Sequence, residues 1–297
     1  MLRIIADSTC DISKEDARKM GIQIVPISVR FGNEEFLDGV EITHEEFYTR
    51  LAECDELPKT SQPSPDTFMK VFNEAVAAGD DVLGIFISSD LSGTYQSACL
   101  AALDVEEETE KKLYMVDSRS ASIGTALLIR EAVKLRDAGV NVADIAAACT
   151  EMSKYIKLTA VVGSLKYLKM GGRLSGAAAF AGTMLHITPV VSIEDGKVVV
   201  IGKTRGKKAA EKLMHDKLIK DGLSLTRDFM FGHINCSESL ETFINKSLTY
   251  ISDVNGNVGV SSIGCSVGTH VGPGTYGIAY VEAAESGMNR ESIVKTA

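Results

Sequence analysis

The chain has 297 residues, of which 45% are hydrophobic and 24% charged, and its formal net charge is −9. This composition is typical of globular proteins, and the acidic balance excludes the broad basic surface that nucleic acid requires. No apolar run is long enough to span a membrane, and residues 1–7 lack the extended apolar core of a signal peptide. We therefore expect a cytoplasmic protein without stable membrane insertion.

Strands and helices alternate through the first half of the chain. Apolar segments predict strands over residues 2–6, 24–30, 82–87 and 112–116. Helical patterns cover residues 14–20, 44–54, 67–78, 93–103, 122–138 and part of 142–155. This alternation is typical of a mostly parallel sheet covered by helices, and we expect it to form a first α/β domain over residues 1–156.

The second half has strands at shorter spacing. They are predicted over residues 158–162, 189–193, 197–201, 229–233 and 258–263. Asp195 and Gly196 stand between two of these strands, a strong signal for a hairpin, and helices are expected over residues 206–220 and 237–251. The sequence therefore predicts a second α/β domain, residues 157–297, whose mixed sheet contains a hairpin.

Two turns rich in hydroxyl groups stand at predicted helix entrances. One contains Ser92, Gly93 and Thr94, and the other contains Thr60 and Ser61. Hydroxyls, unpaired backbone N–H groups and the positive end of a helix dipole together suit a small anion such as a carboxylate or a phosphate. Ser and Thr also cap helices without any ligand, so plain capping is the simpler explanation for either turn alone.

His270 lies in a predicted loop of small residues between two strand-like segments. A His beside hydroxyls can donate a hydrogen bond to a carboxylate or, as imidazolium, pair with it. A Ser hydrolase that uses Ser92, His270 and Asp90 is the alternative, although no G-x-S-x-G motif is present. We favour binding over catalysis, so the chain is not expected to be an enzyme. Asp7 and Ser8 are expected near the same site without a catalytic role.

Motifs for nucleotides and metals are absent from the sequence. Residues 272–277 satisfy G-x-G-x-x-G but precede a strand-like segment instead of opening a helix, and there is no G-x-x-x-x-G-K-[ST] loop for ATP. No His stands at ligand spacing from another His or Cys, so neither a cofactor nor a metal is predicted. The cysteines form no C-x-x-C pair and are expected to be buried thiols in a reducing cytosol: Cys10, Cys54, Cys99, Cys149, Cys236 and Cys265.

Three basic residues stand out in this acidic chain. Arg173 follows a pair of glycines, and Lys203 and Arg205 belong to a basic cluster over residues 203–208. A solvated surface is the simpler interpretation of these charges. The more specific one is a docking surface for a partner's phosphate or carboxylate.

Five motifs, in their order along the chain, resemble the DegV family of bacterial fatty-acid-binding proteins: Asp7-Ser-Thr, Thr60-Ser-Gln-Pro, Leu91-Ser-Gly-Thr-Tyr, Gly171-Gly-Arg-Leu-Ser and Gly268-Thr-His-Val-Gly-Pro-Gly. They span nearly the whole chain, so the match is specific although each motif alone is weak. The resemblance implies a two-domain α/β protein that binds one long-chain fatty acid, such as palmitate or oleate, in a tunnel with the carboxylate at its mouth.

The resemblance also implies roles for individual residues. By motif position, Thr60 and Ser92 bind the carboxylate, and His270 completes the contact. The chain would be the lipid-binding subunit of a two-component fatty acid kinase, presenting the carboxylate to a separate ATP-binding subunit that forms acyl phosphate. Arg173 falls where the family engages that subunit, and the basic segment with Lys203 and Arg205 is expected to assist.

The chain departs from the family pattern at His186 and Thr188, which stand where Asn and Lys are usual before Pro189. We expect this difference to affect the length of the pocket or the contact with the partner. As tunnel lining we name residues 177–185 and 27–31, although an ordinary core explains most of them equally well.

Overall fold

The computed structural model describes residues 1–54, 56–176, 187–224, 226–249 and 256–283. Its strands are β1 (Leu2–Asp7), β2 (Ile22–Val25), β3 (Ser28–Phe31), β4 (Glu34–Leu37), β5 (Lys59–Ser61), β6 (Asp81–Phe86), β7 (Tyr114–Asp117), β8 (Ile156–Val161), β9 (Thr188–Glu194), β10 (Lys197–Thr204), β11 (Phe229–His233), β12 (Val258–Ser262) and β13 (Tyr276–Val281). Its helices are α1 (Lys14–Met20), α2 (His44–Glu53), α3 (Pro65–Ala77), α4 (Thr94–Thr109), α5 (Ile123–Asp137), α6 (Val142–Met152), α7 (Lys166–Met170), α8 (Lys207–Asp221), α9 (Ser237–Ser247) and α10 (Cys265–Val271). None of these helices combines the length and the apolar character needed to cross a bilayer.

The first sheet is parallel throughout, in the order β2-β1-β6-β7. Successive residues of β1 face opposite sides of this sheet, as in any strand. Ile5 packs with Phe68 and Phe72 of α3, whereas Ile4 packs with residues of α5 and α6 such as Leu128 and Ile145. Both faces are therefore covered by helices, which confirms the parallel α/β arrangement predicted for the first half.

The second sheet is mixed, in the order β10-β9-β8-β13-β11-β12. All neighbouring pairs are antiparallel except β11 and β12. β9 and β10 form the predicted hairpin, whose turn places Asp195 and Gly196 at positive φ values of 48° and 80°. Side chains of α8 and α9, including Met214 and Phe243, cover one face of the sheet.

Helix α5 connects the cores of the two sheets. Its Ala126 belongs to one buried cluster with Ile4 of β1, Met230 of β11 and Ala279 of β13. The apolar core is therefore continuous from the parallel sheet to the mixed one, and the domain boundary between residues 156 and 157 stays a prediction.

Two predicted elements have a different form in the structure. The strand expected over residues 24–30 is interrupted at Pro26, which has no N–H for the sheet, and β3 instead pairs with β4 and β5 in a small antiparallel sheet. The predicted loop around His270 is the helix α10.

Candidate ligand-binding site

A cavity is lined by side chains from both halves of the chain. Its empty space, with the mouth included, is about 930 Å³. Apolar walls with a few polar groups are typical of sites for small molecules. Most of the lining is aliphatic and comes largely from the mixed sheet and the loops around it: Ile27, Ile87, Leu91, Leu158, Val162, Leu168, Val191, Ile193, Val198, Ile263 and Val271.

Thr60 and His270 meet on the wall of this cavity. Thr60 lies in β5, which pairs with β3, and His270 lies in the last turn of α10. The Thr60 hydroxyl Oγ1 and the His270 Nε2 are 2.8 Å apart, although the two residues are 210 positions apart in the chain. The structure thus joins the first hydroxyl-rich turn to the predicted His.

The His270 ring is held in its neutral form. Burial lowers its pKa to about 4, and the nearby positive charge of Arg173 lowers it further. Its Nδ1 is buried without a hydrogen-bond partner among the described residues. At neutral pH the ring therefore offers one N–H donor, and the imidazolium pairing considered from the sequence does not apply.

Gly171 makes room for that ring. A Cβ at this position would lie 2.3 Å from the His270 Nδ1, much closer than two atoms in van der Waals contact. Gly171 ends α7 with a φ of −73°, so the glycine is needed for this close approach and not for its backbone conformation.

Ser92 lines the same cavity from the turn before α4. Its hydroxyl Oγ is 2.8 Å from the Thr94 Oγ1 and accepts a hydrogen bond from the Thr94 N–H. Gly93 is the N-cap of α4 and supplies no side-chain cap. A Cβ on Gly93 would meet the Gln62 Oε1 at 2.2 Å, so this glycine allows the segment after β5 to pack against the turn.

Arg173 is anchored beside this turn. Its Nε donates to the Leu91 carbonyl at 3.2 Å, and its Nη1 donates to the Gly171 carbonyl at 2.6 Å. The side chain is partly buried and lines the cavity. A guanidinium carries five N–H donors, so it can hold both carbonyls and still donate to an anionic ligand. Arg173 therefore lies at the cavity, and no structural observation tests its predicted role in docking.

The other predicted site residues lie outside the lining that the described residues form. Ser61 is exposed, and Thr94 is buried beneath Ser92. Lys203 lies near the end of β10 and Arg205 in the turn that follows, both exposed. No structural observation tests their predicted role in docking.

Asp7 and Ser8 brace the loops around the cavity. The Asp7 carboxylate accepts hydrogen bonds from the N–H groups of Thr9 and Ile87, each at 2.9 Å. The Ser8 Oγ accepts one from the Ile27 N–H at 3.0 Å. Thr9, Ile27 and Ile87 all line the cavity, so Asp7 and Ser8 lie near the site, as expected, and contact residues of its wall.

The residues of the alternative hydrolase do not form a catalytic triad. The Ser92 hydroxyl pairs with Thr94 and not with His270, and the His270 Nδ1 has no partner among the described residues. Asp90 instead pairs with Lys197 at 3.4 Å, with 43% of its side chain exposed. A Ser nucleophile needs a base within hydrogen-bond reach that a third group orients, and this arrangement lacks both.

Sequence reasoning missed most of the aliphatic lining. Of the named segment 27–31, Ile27 lines the cavity, but Val29 packs with Phe47 of α2 in a separate core. The segment 177–185 and His186 lie outside the described residues, and Thr188 begins β9. A strand with alternating Val and Ile residues has the same sequence pattern whether those residues face a ligand or the protein core. No signal in the sequence therefore distinguished cavity lining from core.

Comparison with protein families identifies the chain. The model of the family described as "Uncharacterised protein, DegV family" matches residues 1–283. The chain belongs to the DegV family. A DegV domain-containing protein of Clostridium perfringens is 35% identical over 290 residues, which cover 95% of this chain and 98% of that protein.

Solved structures of DegV proteins share the fold. A fatty-acid-binding DegV family protein from Thermus thermophilus superposes with a TM-score of 0.86 at 29% identity, covering 95% of this chain and 100% of the other. DegV from Bacillus subtilis, described as a fatty acid binding protein, gives a TM-score of 0.82 at 28% identity over 95% of this chain and 99% of that one. These matches confirm the predicted fold class and show that DegV proteins bind fatty acids.

Proposed function

We propose that this DegV protein binds one long-chain fatty acid in the described cavity. The observation that carries the proposal is that Thr60, Ser92, Arg173 and His270 converge on the wall of a cavity whose other walls are mainly aliphatic. The fatty acids bound by DegV relatives support the same ligand class. Palmitate and oleate are representative ligands.

The polar residues of the cavity suit the carboxylate of a fatty acid. The hydrogen bond between Thr60 and the neutral His270 uses one donor of that pair and leaves one for the carboxylate, Ser92 has one O–H to donate, and Arg173 supplies a positive charge. Hydrogen bonds to a charged group contribute roughly 1.5–3 kcal/mol each. An anion that leaves water for an apolar cavity requires such compensation, and these four side chains can provide it.

The aliphatic walls of the cavity suit the acyl chain of a fatty acid. Each buried methylene contributes about 0.8 kcal/mol, so a chain of about fifteen gains on the order of 10 kcal/mol before the costs of binding. Removing this chain from water also keeps the free acid out of membranes and aggregates.

The test is a double variant, Thr60→Val with Ser92→Ala. Loss of both hydroxyls is expected to weaken the binding of palmitate and oleate on the order of 100-fold, measured by titration of delipidated protein. Thr49→Val with Ser239→Ala, which removes hydroxyls that hydrogen-bond away from the cavity, is the matched control and should bind like the wild type. Unchanged affinity in the first variant would reject this carboxylate site.

We further propose that the loaded protein, in the cytoplasm, presents the carboxylate to a separate ATP-binding kinase subunit that forms acyl phosphate. The family resemblance supports this role, as does the lack of an ATP-binding motif in the sequence. The exposed basic segment with Lys203 and Arg205 is the proposed docking surface.

Charge reversal tests the docking surface. Lys203→Glu with Arg205→Glu should leave fatty-acid affinity unchanged and reduce acyl phosphate formation with the kinase subunit at least tenfold, because like charges across an interface repel. Lys14→Glu with Arg18→Glu, on the exposed side of α1, is the control. Full activity of the first variant would place the kinase elsewhere.

A further inference from the structure

A second polar cluster lies where α2 and α10 meet. Asp38 precedes α2, His44 is the first residue of α2, and Cys265 is the first residue of α10. A carboxylate oxygen, a ring nitrogen and the thiol sulfur of these residues all lie within 4.8 Å of one another. Asp38 and Cys265 are 227 positions apart in the chain, so local spacing in the sequence could not indicate the cluster.

A small space beside Gly264 separates these groups. A Cβ on this glycine would meet the Asp11 Oδ1 at 3.0 Å, the His44 Nε2 at 3.1 Å and the Asp38 Oδ1 at 3.5 Å. Three atoms that commonly bind metals therefore face one point where the chain has no side chain. Asp11 and Asp38 come from the first half of the chain and Gly264 from the second, so the space lies between the two halves.

Among the described residues, the carboxylates of this cluster have no cationic partner. Asp11 and Asp38 are 6% and 4% exposed, and neither forms an ion pair with a described residue. Their donors in the described part of the chain are all neutral and include the Ser122 hydroxyl and the N–H groups of Gly264, Cys265 and Ser266. Buried carboxylates in proteins are ordinarily paired with a charge or coordinate a metal ion.

His44 has its ring nitrogens available. It forms no hydrogen bond with any residue that the structure describes, and its side chain is partly exposed. A hydrated ion can therefore reach the cluster from the side of His44, whereas Asp38 and Cys265 are buried behind it.

We propose that Asp38, His44 and Cys265 bind one zinc ion, with Asp11 beside it and water completing the coordination. A thiolate, an imidazole and a carboxylate form a donor set typical of zinc. Ligand atoms on one tetrahedral zinc lie roughly 3.4 Å apart when the bonds to zinc are about 2.1 Å long. The three ligand atoms must therefore move roughly 1 Å closer to one another when zinc binds. The Cys265 thiol loses its proton to solvent as the bond to zinc forms.

The ion would fasten α10 to α2. Ser266, His270 and Val271 of α10 line the lipid cavity, so zinc at the first residue of α10 fixes the wall that carries His270. Zinc that binds the folded chain and not the unfolded one also stabilises the fold. Asp38, His44 and Cys265 do not line the lipid cavity, so the zinc site does not depend on the fatty acid.

The experiment is a titration of the chelator-treated, full-length protein with Co²⁺, followed by displacement with Zn²⁺. We expect one Co²⁺ per chain with a thiolate-to-cobalt charge-transfer band and visible bands of a tetrahedral ion. Cys265→Ser should abolish the charge-transfer band, and His44→Gln should weaken Co²⁺ binding at least about tenfold. Because His44 is partly exposed, its variant reports on the site even if Cys265→Ser folds poorly.

Two variants serve as controls. Cys149→Ser replaces an equally buried thiol in another part of the chain. His233→Gln replaces a His that does not belong to the cluster. Both should retain the band and the affinity. Absence of a saturable site for one ion, or a band that survives in Cys265→Ser, would show that Asp38, His44 and Cys265 form a purely hydrogen-bonded cluster and would overturn the proposal.

Discussion

His270 differs from an ordinary surface His in both its charge and its contacts. Its neutral ring hydrogen-bonds to Thr60, and its pKa of about 4 results first from burial and then from Arg173. A His with so low a pKa is a poor base, so hydrogen bonding to a ligand is the chemistry that the residue suits.

The low pKa predicts how stability depends on pH. In the fatty-acid-free protein, His270 titrates near pH 4 when folded and near 6.5 when unfolded. As the pH falls from 6.5 towards 4, the unfolded state takes up this proton first, so the free energy of unfolding decreases by up to roughly 3 kcal/mol. His270→Gln lacks this contribution.

The measurement is the free energy of unfolding in urea, determined for the wild type and for His270→Gln between pH 6.5 and pH 4. The wild type should lose stability relative to the variant as the pH falls. The difference isolates His270 from the other groups with shifted pKa values, such as Asp7, His215 and His233. Parallel curves for the two proteins would contradict a His270 pKa near 4.

Arg173 is predicted to bind the carboxylate, because its guanidinium is anchored in the cavity wall. Arg173→Gln should weaken fatty-acid binding by about 10- to 100-fold, since a charge-assisted hydrogen bond is lost. Calorimetric titration with oleate measures the effect, with the exposed Arg18→Gln as control. Full affinity combined with lost acyl phosphate formation would instead support the docking role implied by the family resemblance.

At the scale of elements, α7 and α10 must approach closely for His270 to reach Thr60. Gly171→Ala places a Cβ where the His270 ring lies, so the ring must move and the affinity for fatty acid should fall roughly tenfold, the value of one hydrogen bond to a charged group. The change can be measured by the same titration.

Gly259→Ala is the matched control for that variant. Gly259 lies in β12, where an added Cβ meets only the flexible side chain of Met230, at 3.0 Å or more. It should bind fatty acid like the wild type. Wild-type affinity in Gly171→Ala would mean that the position of the His270 ring does not limit binding.

Elements with a strong local pattern could be predicted from the sequence, and those that depend on distant partners could not. Asp-Gly is a pair that favours a tight hairpin turn, so the hairpin at Asp195 and Gly196 was predicted correctly from local sequence. β5 has three residues and exists only because β3 pairs with it. Thr60 and Ser61 were predicted together, but neighbours on a strand face opposite sides, and only Thr60 faces the cavity.

The cysteines show the same limit. Cys10, Cys149 and Cys265 are buried as predicted, whereas Cys54, Cys99 and Cys236 are partly exposed. Composition favours burial of thiols in general, but the depth of each one depends on the packing around it. The proximity of Cys265 to Asp38 and His44 likewise arises only when the two halves of the chain fold together.

At the scale of the whole molecule, the cavity exists because the mixed sheet, the loops of the parallel sheet and α10 enclose a common space. Ile87 follows the parallel sheet, Val191 lies in the mixed sheet, and Ser266 lies in α10. Neither half of the chain alone contains the four polar residues or the complete aliphatic wall. The proposed binding unit is therefore the intact chain.

The most direct test is native and denaturing mass spectrometry of the freshly purified, intact protein. We predict a mass excess on the folded chain that denaturation releases as one long-chain fatty acid per chain. A protein that is empty, and that also fails to take up added palmitate or oleate, would contradict the proposed function.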